Sequence, residues 1–443
     1  MKFKLISLIA CLMLLASCHY LPDGRGEDLL VAPLLNRQQL EINRALNTTL
    51  DLSKIVYRYP QDGDYRSPFV FYDMDGDGLD EAVVLYAPDV ESSEVRAMVL
   101  RQSLPGEWYS FADLAGQGNQ VDFVAFADLF ANRGSSIVIG WRDTSFQQRA
   151  HLGVYSIQGE TIVQDMMESR VAHIIQDFEE DGRSELVLVQ RATDGYRLRL
   201  MGELGGSLLE FDSKLLYYET SDVLQLLSGV VRGGGEPSAI YIDQEVAGVF
   251  YATEVYRVDG HSLILLAGSS NGEEGDAWQN YLSTFREQKV LSVDLHGDGA
   301  VEVPQTRWLP GAETDTGEAA STQLTQYMRY TAEGFQPLFN AAVNIDAGYL
   351  VYFPDRWLGN VTVTEHPERS EWRFYKVSPD NMRPVLELLR IRVYSTQDYQ
   401  DFDEDDILLG SKGIFRYYAY IPSGIDDPLL VTRSEAMTMF ALL

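Results

Sequence analysis

Asp73-Met74-Asp75-Gly76-Asp77-Gly78-Leu79-Asp80-Glu81 lies between two apolar runs, Phe69-Val70-Phe71-Tyr72 and Ala82-Val83-Val84-Leu85-Tyr86. Numbered from Asp73, oxygen side chains fall at positions 1, 3, 5 and 9 (Asp73, Asp75, Asp77 and Glu81), and Gly78 stands at position 6. A short turn wraps a hard cation in this way: alternate carboxylates point inward, a backbone carbonyl fills position 7 (here Leu79), and glycine takes the tight bend. The pattern predicts one calcium ion on these residues. An EF-hand would need a glutamate at position 12 followed by a helix. Position 12 is Val84, inside a strand-like run, so the loop reads as the tip of a β-hairpin. The alternative is a metal-free turn whose acids bond backbone amides, as aspartate often does.

The loop recurs. Asp177, Glu179, Asp181 and Glu185 repeat the acids at positions 1, 3, 5 and 9, with Gly182 at position 6 and the Arg183 carbonyl at position 7. A third copy has Asp294, Asp298 and Glu302, with Ala300 at position 7 and His296 at position 3. Calcium prefers oxygen at position 3, so this site is expected to be weaker, with His296 turned away. Two eroded copies start at Asp128 and Val230; Phe130, Arg232 and Gly234 stand where carboxylates would be needed, so both are expected to be empty. The first positions 73, 128, 177, 230 and 294 are spaced by 55, 49, 53 and 64 residues. A period of this length suits a four-stranded propeller blade. Second hairpins support four strands per period: Thr253–Val258 and Ser262–Leu266 flank Asp259-Gly260, a strong hairpin signal.

These loops resemble FG-GAP (integrin α-like) or VCBS repeats, which build β-propellers with calcium in the first hairpin of each blade. The wider string Asp64 to Asp73 resembles lipoproteins of anaerobic Firmicutes that carry such repeats. The resemblance covers roughly residues 50–340 and implies a scaffold rather than a reaction. The expected fold is mainly β: a β-propeller of five or more four-stranded blades over 51–344, followed by a small α+β domain over 345–443.

Residues 1–17 have a basic start, Lys2 and Lys4, and an apolar run from Leu5 to Ala16 that is too short to span a bilayer. Leu15-Ala16-Ser17-Cys18 matches the lipobox of bacterial lipoproteins, in which cleavage precedes a lipidated cysteine. The expectation is a lipid anchor on Cys18 at the extracytoplasmic face of the bacterial cell membrane; an ordinary signal peptide is the alternative. Residues 18–50 read as a tether and a lead-in helix, with Ile42, Leu46 and Leu50 at helical spacing.

The chain carries 66 acidic and 35 basic residues, a net charge of −31. This balance argues against nucleic acid and against electrostatic attachment to anionic lipid. After Asn344 the period stops and the pattern changes: Tyr349 to Trp357, Val361–Thr364, Trp372–Val377, Leu386–Tyr394 and Phe415–Ile421 read as strands or turns, and Arg433–Leu443 as a helix. No nucleophile elbow, His-Glu-x-x-His or phosphate-binding glycine loop is present. Two function classes follow. One is a binding module for an extracellular protein or glycan; the other is an extracytoplasmic glycan-active hydrolase or lyase with structural calcium.

Overall fold

The computed structural model describes residues 37–145, 149–231, 238–267, 284–311, 322–331, 334–396 and 406–443. The leader, Cys18, the tether and most of the loop begun by Val230 lie outside the described residues. The chain is mainly β, and among the described residues every strand pairing within its sheets is antiparallel.

Sheet I holds Phe69–Tyr72, Glu81–Ala87, Arg96–Gln102 and Trp108–Ala115; the two-residue strand Val56–Tyr57 lies beside Phe69–Tyr72 on the same edge of Glu81–Ala87. Sheet II holds Gln120–Ala127, Ser136–Asp143, Arg149–Gln158 and Thr161–Arg170. Sheet III holds Ala172–Gln176, Glu185–Ala192, Gly195–Leu204 and Ser207–Leu215. Sheet IV holds Thr220–Val230, Ser238–Val246, Phe250–Asp259 and Ser262–Ala267. In sheets I to III an acidic or eroded loop joins the first strand to the second. Sheet V runs Glu302–Trp308, Gln323–Thr331, Gly334–Asn344, Tyr349–Tyr352 and Phe440–Leu442, with Val293 bridging to Glu302 ahead of the third acidic loop.

The two-residue period of a strand explains how the sheets stack. In Glu81–Ala87, Val83 and Leu85 pack on Val124, Ile139 and Trp141 of sheet II, while Ala82, Val84 and Tyr86 face the other way. Leu186 and Leu188 face sheet II, and Val187 and Val189 face sheet IV. Ile240 and Ile242 face sheet III, while Ala239 and Tyr241 meet Val301 and Val303 of sheet V. A strand covered on both faces reads as an unbroken apolar run, which is why Ala82–Tyr86 and Leu186–Val189 do so. The outermost strand Thr161–Arg170 is largely polar and partly exposed. The result is a propeller-like stack, I to V.

Helix α1 (Arg37–Leu46) covers the far face of sheet I: Ile42, Ala45 and Leu46, at helical spacing, pack on Phe69, Val84, Tyr86 and Met98. At the other end, sheet VI (Val361–His366, Glu371–Val377, Pro384–Ser395, Phe415–Tyr420, Ile407–Lys412, in spatial order) shares a core with sheet V, in which Leu324, Tyr349 and Val351 meet Phe374, Leu389 and Ile391. Among the described residues no buried cluster joins sheet V to sheet I.

The expected carboxyl-terminal helix is shorter than the pattern suggests. Helix α2 (Arg433–Met439) starts at a capping box, in which Glu435 N–H donates to Thr432 Oγ1 and Thr432 N–H to Glu435 Oε2. The chain then extends, and Phe440–Leu442 pairs with Tyr349–Tyr352. The open edge of that strand offers unpaired backbone groups, and pairing them outweighs another half-turn of helix.

Candidate metal loops at one end of the stack

Hydrogen bonds tie the described parts of the motif loops together in chain order. Ser135 N–H donates to Met74 O at 2.8 Å, joining the first two loops, and Ser184 N–H donates to Asp128 O at 2.8 Å, joining the next two. Gln176 Nε2 reaches Ser238 Oγ at 2.6 Å, and Val230 N–H donates to Gly299 O at 2.8 Å. The loops begun by Asp73, Asp128, Asp177 and Asp294, and the described ends of the one begun by Val230, therefore sit side by side at one end of the stack.

The three acidic loops share an internal bonding pattern. The position-1 carboxylate takes two backbone N–H groups: Gly76 and Gly78 on Asp73, Asp181 and Gly182 on Asp177, Asp298 and Gly299 on Asp294. The position-5 carboxylate takes the N–H of position 7: Leu79 on Asp77, Arg183 on Asp181, Ala300 on Asp298. The position-9 glutamate takes the N–H of position 2: Met74 on Glu81, Phe178 on Glu185, Leu295 on Glu302. These glutamates are buried, with Glu81 only 2% and Glu302 0% exposed. Burial, with the neighbouring acids Asp75 and Asp77 adding to it, pushes the Glu81 carboxyl up to about 7. Burial likewise pushes Glu185 up to about 7, beside Glu179, Asp177 and Asp181.

In the first loop, Asp73, Asp75 and Glu81 each offer an oxygen within 4.8 Å of the others. That spacing fits a hard cation with ligands at about 2.3–2.6 Å, and a carboxylate that accepts an N–H keeps lone pairs for a metal. Asp77 is not in this group; its Oδ1 holds the turn through Leu79 N–H at 2.8 Å. Calcium there would be held by Asp73, Asp75 and Glu81 and would supply positive charge to a buried acid cluster. Asp177, Glu179, Asp181 and Glu185 do not converge as tightly among the described residues.

Two arginines complete the loops, and the local motif does not reveal them. Arg101 pairs with Asp75 Oδ2, and its Nε lies 3.4 Å from Glu81 Oε1. Arg329 pairs with Glu302 Oε1 and lies 3.2 Å from Asp298 Oδ2. Both come from the strand next to the loop's second strand: Arg329 is the register partner of Glu302, and Arg101 is one residue beyond the Ala82–Leu100 pair. In the second loop the equivalent place is Gly202, where a Cβ would lie 2.1 Å from the Phe211 ring. There Arg183 of the loop itself pairs with Asp181 and, at 2.8 Å, with Glu203. His296 does not turn away; its Nδ1 lies 3.1 Å from Glu302 Oε1, and its ring meets the Phe339 edge. In the eroded loop begun by Asp128, Phe130 is in the core and Ser136 replaces the glutamate.

Two cavities among the described residues bear on the site, and the larger reaches Asp294 and Leu295 of the third acidic loop. One of about 800 Å³ sits between sheets IV and V, lined by Leu227, Val293, Tyr327, Val343 and Leu442, with Lys289 and Lys412 among its polar groups. Another of about 380 Å³, between the Asn344–Ala347 turn and sheet VI, is lined by Asp346, Glu365, Glu371, Trp372 and Phe415. Burial raises the Glu371 carboxyl, but Arg373 and Arg392 outweigh it and leave it below its ordinary value.

No family profile matches the chain, and no curated protein does. Among solved structures, a Lactobacillus plantarum protein aligns at a TM-score of 0.31 and 10% identity, covering 73% of this chain and 84% of that one. A putative 6-phosphogluconolactonase from Bacteroides uniformis aligns at 0.31 and 11%, covering 75% and 94%. A rhamnogalacturonan lyase from Bacillus licheniformis aligns at 0.26 and 11%, covering 85% and 92%. Likenesses this distant carry no argument about activity.

Proposed function

We propose that the chain is a lipid-anchored extracytoplasmic binding module, displaying one loop-bearing end of a propeller to a protein or glycan. The observation that carries this reading is the row of motif loops bonded edge to edge at one end of the stack. In this reading sheets I to V are blades, and Cys18 carries the lipid; residues 345–443, expected as a domain of their own, instead give Tyr349–Tyr352 and Phe440–Leu442 to sheet V and pack the remaining α+β unit on it through a shared core. Calcium braces the loops of Asp73, Asp75, Asp77 and Glu81 and of Asp177, Glu179, Asp181 and Glu185, with a weaker site at Asp294, Asp298 and Glu302. The net charge of −31 supports a partner other than nucleic acid. Two measurements test the reading. Cys18→Ala should release the protein from the membrane fraction or leave it unprocessed; normal processing and retention would refute the anchor. Probing a glycan and cell-wall array with soluble protein should give binding that loop substitutions abolish.

The second reading, a glycan-active enzyme, is favoured by the cavity holding Asp346, Glu365 and Glu371 beside Trp372 and Phe415. Paired carboxylates with an aromatic platform suit glycoside chemistry. Glu371 is ion-paired and held below its ordinary range, opposite to what a general acid needs. Polysaccharide cleavage lost in Glu365→Gln would establish the enzyme reading.

A further inference from the structure

We infer that Arg101 and Arg329 are built-in counter-cations that do in the first and third acidic loops what calcium does in a metal-braced turn. The inference rests on the calcium reading of the loops and narrows it. Each loop gathers carboxylates around a buried position-9 glutamate, and such a cluster needs positive charge at its centre. In the first loop that charge is already present: Arg101 touches Asp75 and lies against Glu81, two of the three residues whose oxygens converge. In the third loop, Arg329 bridges Asp298 and Glu302 in the same way, from the equivalent strand. Both guanidiniums are largely shielded, with 15% and 14% of their side chains exposed. Each is held along its strand by the ladder, so it is positioned before any ion arrives.

The second loop is the internal contrast. Gly202 stands at the matching place, Phe211 fills the space, and no guanidinium reaches Glu185 among the described residues. Arg183 engages Asp181 from the loop's own rim. The structure thus separates two arginine-filled loops from one whose central glutamate has only a backbone N–H. Arg101 already holds an oxygen on two of the three residues that calcium would use in the first loop. Calcium therefore competes with Arg101 there, and its affinity should rise when the arginine is removed.

The test is thermal melting of the purified protein, wild type and Arg101→Gln, Arg101→Lys, Arg101→Gln/Glu81→Gln and Asp181→Asn, in chelator and in calcium chloride. In chelator, Arg101→Gln should melt at least about 3 °C below wild type, with Arg101→Lys between them and the double variant recovering most of the loss. Calcium should raise Arg101→Gln more than it raises wild type. Equal melting of Arg101→Gln and wild type in chelator would overturn the inference, and so would a calcium response no larger than that of wild type. If Arg101→Gln folds only when expressed and purified with calcium, the inference stands; if it folds in neither condition while the double variant folds, calcium cannot replace the guanidinium and the inference fails. Failure of the calcium reading is separately visible: the wild-type response, carried by the second loop, should vanish in Asp181→Asn, whereas the chelator arm does not depend on it.

Discussion

Replacing Arg286 should unfasten the segment that leads into the third acidic loop. Arg286 and Asp243 form an ion pair at 2.8 Å, with side chains 0% and 1% exposed. The guanidinium also donates to Val290 O at 2.6 Å, Thr284 O at 2.9 Å and Thr253 Oγ1 at 2.9 Å. Asp243 in turn accepts from Ser292 N–H at 2.6 Å, Ser292 Oγ at 2.9 Å and Thr253 Oγ1 at 2.5 Å. The cluster thus straps residues 284–292 to sheet IV, and loop three begins two residues later. Arg286→Met leaves Asp243 buried without a cation and strips a donor from two carbonyls. Breaking one partner of a buried pair costs about 3–5 kcal/mol, and the retained donors on Asp243 place the expectation at the lower end. Urea denaturation of wild type, Arg286→Met, Asp243→Asn and the double variant measures this, with a coupling of about 1–3 kcal/mol. Hydrogen exchange should quicken at Tyr251, whose N–H bonds Arg286 O. A loss under about 1 kcal/mol, or strictly additive effects, would refute the argument.

Calcium at a hundredfold excess over its dissociation constant should stabilise the fold by about 2.7 kcal/mol per occupied site, read as a melting shift against chelator that diminishes in Glu179→Ala/Asp181→Ala; identical wild-type melting in both buffers would mean metal-free turns. His173 stacks on Phe123 with ring centroids 4.5 Å apart, and burial, reinforced by Arg170, lowers its imidazole to about 3. The unfolded chain protonates this residue near its ordinary value and the folded chain does not, so the contribution is intact above about pH 6.5 and lost as pH falls toward 3. Relative to His173→Gln, wild type should lose at most about 2 kcal/mol between pH 7.5 and pH 5; parallel pH curves would refute this. Gly134 has φ +69°, and a Cβ there would sit 2.2 Å from Met74 O, the carbonyl that accepts from Ser135. Gly134→Ala should therefore cost about 1–3 kcal/mol in urea denaturation and separate the first two loops.

The acidic loops, their hairpin setting and the faces of the strands were legible because each depends on residues within a few positions of one another. Asp73 and Gly78 close one turn, and Ala82 to Tyr86 alternate between two packing surfaces whatever lies beyond them. The charge that meets those loops was not legible. Arg101 is 20 residues beyond Glu81 and Arg329 is 27 beyond Glu302, and only strand register brings each pair together. The same holds for Arg286 with Asp243, and for Phe440–Leu442, whose helical-looking spacing yields to an open strand edge supplied by Tyr349–Tyr352. By itself the sequence determined turn chemistry, strand periodicity and repeat length, which are properties of short stretches. Tertiary structure decided which charge lies on which acid and which sheet covers which face, because those choices follow from long-range pairing and from the cost of leaving a buried charge or backbone group alone.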